Sequence, residues 1–179
     1  MRIIFYIICS GLIFGTYSVI QSGSKVEYFG SHPTHGFSGY SSSITLIADC
    51  NEGASVCDLQ FSIPIISLNS GNDNRDSNML NYLKAFSYPE IKLNVSDFLI
   101  KDYDGDFISC ELNISGITQQ IEIPLTLLKK NKNQHRAQSS FAISLDQFGI
   151  DIPKLLFIPI DSNIKILIDF LIESELVTK

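Results

Sequence analysis

The 179-residue chain has no tryptophan, two methionines and three histidines, and only 18% of it is charged. About a quarter is usual for a soluble domain. A chain this poor in charge and 45% hydrophobic is not disordered, because it can bury enough apolar surface to offset the entropy of ordering. There is no basic excess either: 13 Lys and Arg stand against 19 Asp and Glu, a net charge of -6. That speaks against nucleic acid as a partner, since neutralising phosphates needs a basic face. Also missing are G-x-S-x-G, H-E-x-x-H and a glycine-rich phosphate loop, and no histidine stands beside a credible nucleophile. Neither an enzyme nor a cofactor is expected. No stable transmembrane span is expected after processing, because the apolar run near the start is shorter than the roughly 20 residues a membrane helix needs.

What is present begins with Met1-Arg2 and a run of mostly apolar residues from Ile3 to Gly15, followed by small residues at Ser18, Ser22 and Ser24. One positive residue, an apolar stretch and then small residues form the layout of a secretory signal peptide. Residues 1–22 are read as that signal, cut near 18 or 22, and residues 23–179 as one domain that is exported, periplasmic or secreted. Cys9 is preceded by Ile8 rather than the small residue a lipidation site wants. Export leaves Cys50, Cys57 and Cys110 in an oxidising compartment. Cys50 and Cys57 bracket a hairpin-like connection and are expected to form a disulfide, since cross-strand neighbours have the required Cα separation. Cys110 falls on an inward phase and reads as a small buried apolar residue.

Two-residue alternation runs through most of the remaining chain. Leu59, Phe61, Ile63 and Ile65 share a face; so do Ile91, Leu93 and Val95, and Ile108, Cys110, Leu112 and Ile114. The sets Ile121 to Leu127, Phe141 to Leu145, and Ile164 to Phe170 continue the pattern, with weaker strands at Val26–Tyr28 and Thr45–Ala48. Asp102-Tyr103-Asp104-Gly105-Asp106 carries a hairpin signal. Gly116-Ile117-Thr118-Gln119 reads as a tight connection, and Lys129 to Arg136 as a longer polar loop whose basic residues mark a solvated tip. Asp73 to Phe86 breaks the pattern: Met79, Leu80, Leu83 and Phe86 recur at helical spacing, with Asn72 or Asp73 as N-cap and Pro89 beyond the end. Roughly eight antiparallel strands with one short amphipathic helix fit either a sandwich or a closed barrel, and alternation alone does not separate them.

Several segments together resemble the YceI-like family. His35-Gly36-Phe37-Ser38-Gly39 is similar to its H-x-F/W-x-G element, and Ser67-Leu68-Asn69-Ser70-Gly71-Asn72-Asp73-Asn74-Arg75-Asp76-Ser77-Asn78-Met79-Leu80 to the segment that enters its helix. Tyr88-Pro89-Glu90-Ile91 and Leu112-Asn113-Ile114-Ser115-Gly116-Ile117-Thr118 match two further motifs. The similarity runs from about Lys25 to Phe170. Gln119-Gln120 departs from it where a basic residue commonly follows Thr, and the Cys50/Cys57 pair is not a family feature. The resemblance implies an all-β, eight-stranded antiparallel lipocalin-like β-barrel that holds a long-chain isoprenoid-like lipid.

On that reading the ligand-binding residues are the uncharged inward positions Leu59, Phe61, Ile63, Leu93, Val95, Ile114, Ile123, Phe141, Ile143 and Ile166. The domain would then be a carrier or sequestering protein. The alternative is an exported structural or interaction module with a filled, ligand-free barrel, and a homodimer is compatible with both. His32-Pro33-Thr34-His35 offers only half a metal site, so no metal is assigned and His35 is placed near the barrel mouth. Asp102, Asp104 and Asp106 are read as a turn rather than a Ca²⁺ loop, because Gly105 is misplaced for one. Arg75 and Asp76 are read mainly as structural, with headgroup recognition as the functional alternative.

Overall fold

In the computed structural model, residues 13–51, 56–99, 103 and 105–178 are described. Most of the expected leader, Cys9, and both Asp102 and Asp104 of the expected hairpin lie outside them. The alternating segments form strands β1 (Ile13–Val19), β2 (Lys25–His32), β3 (His35–Ser41), β4 (Thr45–Cys50) and β5 (Cys57–Pro64). After helix α1 (Asp73–Tyr82) come β6 (Glu90–Phe98), β7 (Phe107–Ile114), β8 (Ile117–Pro124), β9 (Thr126–Lys129) and β10 (Gln134–Ser144). A small hairpin, β11 (Lys154–Leu155) and β12 (Ile158–Pro159), precedes the long last strand β13 (Asn163–Thr178).

One sheet is a meander in the order β4-β5-β6-β7-β8; the other runs β3-β2-β13-β10-β9. All pairings are antiparallel. The length of β13 organises the second sheet: Lys165–Asp169 pair with β2, Ile172–Thr178 pair with β1, and β10 occupies the opposite edge. The chain crosses between sheets at Pro124-Leu125. Pro124 brings no N–H to a ladder, and the Leu125 N–H turns to the Asp106 carbonyl at 2.9 Å.

The all-β class with a single helix is as expected, but the strands are more numerous, and β6, β10 and β13 run longer than the alternating sets that mark them. Among the described residues no continuous ladder closes the barrel. Its seams are tied by one backbone pair, between Tyr40 and Asn69, and by side chains. The Ser139 hydroxyl donates to the Pro124 carbonyl at 2.5 Å, and the Gln21 amide accepts from the Ile44 N–H at 3.0 Å while donating to the Ile44 carbonyl.

Several local expectations shift. The helix ends at Tyr82, and Phe86 is 92% exposed rather than on its buried face. The cause is a Schellman-type termination at Lys84 (φ 53°): the Ala85 N–H reaches the Leu80 carbonyl at 2.8 Å and the Lys84 N–H the Asn81 carbonyl at 3.0 Å. Asn72 is the N-cap, accepting the Arg75 N–H at 3.0 Å. The β7–β8 connection is the two residues Ser115-Gly116 (φ 54° and 82°), with Ile117 already in β8. Gly116 is required there twice over, because the Tyr88 ring occupies the place of a Cβ. Lys129 and Arg136 belong to strands, so the polar loop is only 130–133. The leader segment assigned to 1–22 overlaps β1, whose Tyr17 is buried.

Candidate functional site

Apolar side chains from both sheets meet in two clusters. The first plugs one end with Tyr17, Cys57, Leu59, Val95, Phe98, Cys110, Ile123, Ala137 and Ile172. Cys50 and Cys57 face each other across β4 and β5 and are joined by a disulfide at this end. Cys110 is a free, buried thiol, and burial pushes its pKa up to about 11.

Toward the other end the sheets part around a cavity of about 600 Å³. Of the ten inward positions singled out, Phe61, Ile63, Leu93, Ile114, Phe141, Ile143 and Ile166 lie on its wall. Leu59, Val95 and Ile123 do not; they are buried in the plug. The reason is depth. Leu59 shares the face of Phe61 but lies one pleat repeat nearer the disulfide, and Val95 is its cross-strand partner. The wall also includes Tyr28, Leu112, Ile164 and Phe170, the last stacked on Phe61 with centroids 5.3 Å apart.

The mouth is polar. Arg75, Asn78, Met79 and Tyr82 recur at helical spacing on α1 and line it, together with Asn72 and Asn74. Of this face, Met79 belongs to the apolar stripe of the sequence and Arg75 is its headgroup alternative; Asn78 and Tyr82 carry no apolar-periodic signal and escape it. The adjacent Arg75 and Asp76 divide their roles. Asp76 accepts the Ser70 N–H with both oxygens, at 3.1 and 3.2 Å, and ties down the loop. The Arg75 guanidinium lies over the Phe37 ring, 5.3 Å from its centroid. Lys154 also lines the cavity, and among the described residues no carboxylate does.

On the β2–β3 turn, hydrogen bonds orient two imidazoles. The Thr34 N–H reaches Nδ1 of His32 at 3.3 Å, so that nitrogen is an acceptor. The Thr34 hydroxyl, 2.8 Å from the same atom, therefore donates to it and in turn accepts from Nδ1 of His35 at 2.9 Å. His32 thus carries its proton on Nε2, which is buried without a hydrogen-bond partner among the described residues. The result is a free donor at the rim of an apolar lumen.

The YceI-like domain model matches residues 17–172. The chain belongs to the YceI-like domain family. Its fold is similar to that of BcnA from Burkholderia cenocepacia, with a TM-score of 0.69 at 16% identity over 86% of this chain and 98% of that one. A polyisoprenoid binding domain from Saccharophagus degradans, implicated in plant cell wall breakdown, aligns with a TM-score of 0.70 at 17% identity, over 89% of this chain and 98% of that one. The YCEI protein of Campylobacter jejuni aligns with a TM-score of 0.56 at 15% identity, over 76% and 82%. No curated protein sequence matches the chain. Among the described residues of this YceI-like domain, no helix is long and apolar enough to cross a membrane.

Proposed function

We propose that this YceI-like domain is an exported binding protein that holds a long apolar ligand, an isoprenoid-like lipid, in its lumen as a carrier or sequestering protein. The observation that carries this reading is the lumen of about 600 Å³, walled by apolar side chains, plugged at one end and polar only at its mouth. Burying a hydrocarbon chain gains about 0.8 kcal/mol per methylene, so affinity needs no special chemistry along the wall. The few polar groups at the mouth orient the head. His32 Nε2–H, Arg75 and Lys154 are all donors, which suits a head rich in acceptor oxygens. The polyisoprenoid binding domain of Saccharophagus degradans supports the choice of ligand class. The leader-like start and the Cys50–Cys57 bridge support export, because disulfides persist in oxidising compartments.

Native mass spectrometry of the exported protein, followed by organic extraction, tests the reading. A discrete adduct that solvent releases as a long-chain lipid is the expected result. An apo mass that persists after incubation with prenyl lipids would sink the carrier reading and favour a ligand-free module.

A further inference from the structure

The hairpin of β11 and β12 turns through Leu156 and Phe157, which are 83% and 96% exposed. Both have left-handed backbone, with φ of 50° and 69°. Two-residue turns of this kind favour Asn-Gly, and a bulky side chain there is strained. The β7–β8 turn of the same chain obeys that preference with Ser115-Gly116. The hairpin therefore carries two large apolar side chains where both backbone conformation and solvent oppose them. Leu155 and Ile158, at 48% and 43% exposed, extend the apolar tip.

The tip has a defined place. Pro153, Lys154, Leu155 and Ile160 form part of the lumen wall. The Ile160 N–H donates to the Pro153 carbonyl at 3.0 Å, and the Asp161 N–H to the Ser31 carbonyl at 2.8 Å, anchoring the hairpin beside the His32 turn. The apolar knuckle thus stands at the mouth. Lys154 sits at its root and Arg75 lines the same cavity, neither in an ion pair among the described residues. Of the acids flanking the hairpin, Asp151 and Asp161, the latter accepts the Asn163 N–H at 2.9 Å. Four side chains are too few for the roughly 800 Å² per partner of a stable protein interface. They suffice for a small wedge entering a bilayer interface with cations beside it.

We propose that the Lys154–Pro159 hairpin docks on the surface of an anionic bilayer, Leu156 and Phe157 entering the interface so that the lumen mouth faces the membrane.

The absence of tryptophan makes Phe157→Trp a lone fluorescent reporter. With vesicles of phosphatidylethanolamine and a minority of phosphatidylglycerol, its emission should shift to the blue and be quenched by acyl-brominated lipid. Leu156→Asn/Phe157→Gly installs the residues the turn prefers, so melting temperature should hold or rise while vesicle co-sedimentation weakens roughly a hundredfold or more. Lys154→Gln should weaken binding roughly fivefold, and only when phosphatidylglycerol is present. An unshifted reporter, or an Asn-Gly variant that sediments like the parent, overturns the proposal. So does a blue shift without vesicles that grows with protein concentration, which would mean that a second copy covers the tip. Lipid adduct formation by the Asn-Gly variant reads lumen binding separately, so failure of docking and failure of the carrier reading are distinguishable.

Discussion

Truncating one leucine in the plug and one on the lumen wall gives opposite signatures if the lumen is open to ligand. Leu59 is 4% exposed and packed on all sides in the plug. Leu59→Ala removes three carbon groups and leaves a cavity, at a cost of about 3 kcal/mol within the roughly 2–5 kcal/mol span of such substitutions. Leu93 borders empty volume already. Its truncation enlarges a space that exists and forfeits contacts on the packed side alone, so we expect about 1 kcal/mol in the apo protein. With ligand bound the order reverses. Three carbon groups at about 0.8 kcal/mol each would be roughly 2.4 kcal/mol if wholly shielded by ligand. About half of that, for a side chain touched on one side, is close to a tenfold loss of affinity, whereas Leu59→Ala should leave affinity unchanged. Urea unfolding of the delipidated proteins and displacement of a fluorescent lipid measure the two quantities. Equal destabilisation by both substitutions, with unchanged lipid affinity in Leu93→Ala, would refute the reasoning and identify the lumen as a filled core.

Other consequences are simpler to state. Replacing both Cys50 and Cys57 by Ser should cost about 2.4 kcal/mol on the chain-entropy model for a sequence separation of 7, read as a shift in the urea midpoint. Lys84→Gly, at the left-handed helix terminus, should stabilise the fold by about 0.5–1 kcal/mol in the same assay. Arg136 grips Asp169 through two hydrogen bonds of 2.6 Å, and this holds the Asp169 carboxyl below the usual carboxylate range. A depressed native pKa stabilises above the unfolded value and is lost as pH falls through the folded one. Arg136→Gln should therefore be destabilised at neutral pH, with the gap closing below about pH 4. For the mature protein, we expect processing to cut before Tyr17, because cuts at 18 or 22 would remove buried Tyr17 and most of β1, and a cut at 22 would also remove the Gln21 bridge to Ile44. N-terminal sequencing of the exported form checks this, and a chain starting at Val19 or Gly23 would contradict it.

The sequence was most informative where chemistry is local. Alternation placed inward faces correctly because side chains on a strand have a period of two whatever the strand's partners. Asn72 capped the helix because its short amide meets a backbone N–H three residues on. Cys50 and Cys57 were legible because a hairpin makes them neighbours. Less legible were features without a local hydrophobic signal. Lys84 ends the helix in a conformation more typical of glycine, so Phe86 looked helical and is not. The Arg75–Tyr82 face interleaves polar and apolar residues, and only its position over the lumen gives it meaning.

Composition and periodicity by themselves determined an apolar, antiparallel, all-β domain with an uncharged interior and a disulfide at one hairpin. Tertiary structure alone decided how deep each inward side chain sits. Leu59 and Phe61 are equivalent by phase, yet one fills the plug and the other faces open volume. That difference arises from which residues of the facing sheet reach across at each level, set by pairings as distant as β1 with β13. It also put the strained Leu156-Phe157 turn, the His32 donor and Arg75 around one mouth, although they lie on three separate stretches of chain. Local periodicity carries no information about such distances; the packing of the two sheets does.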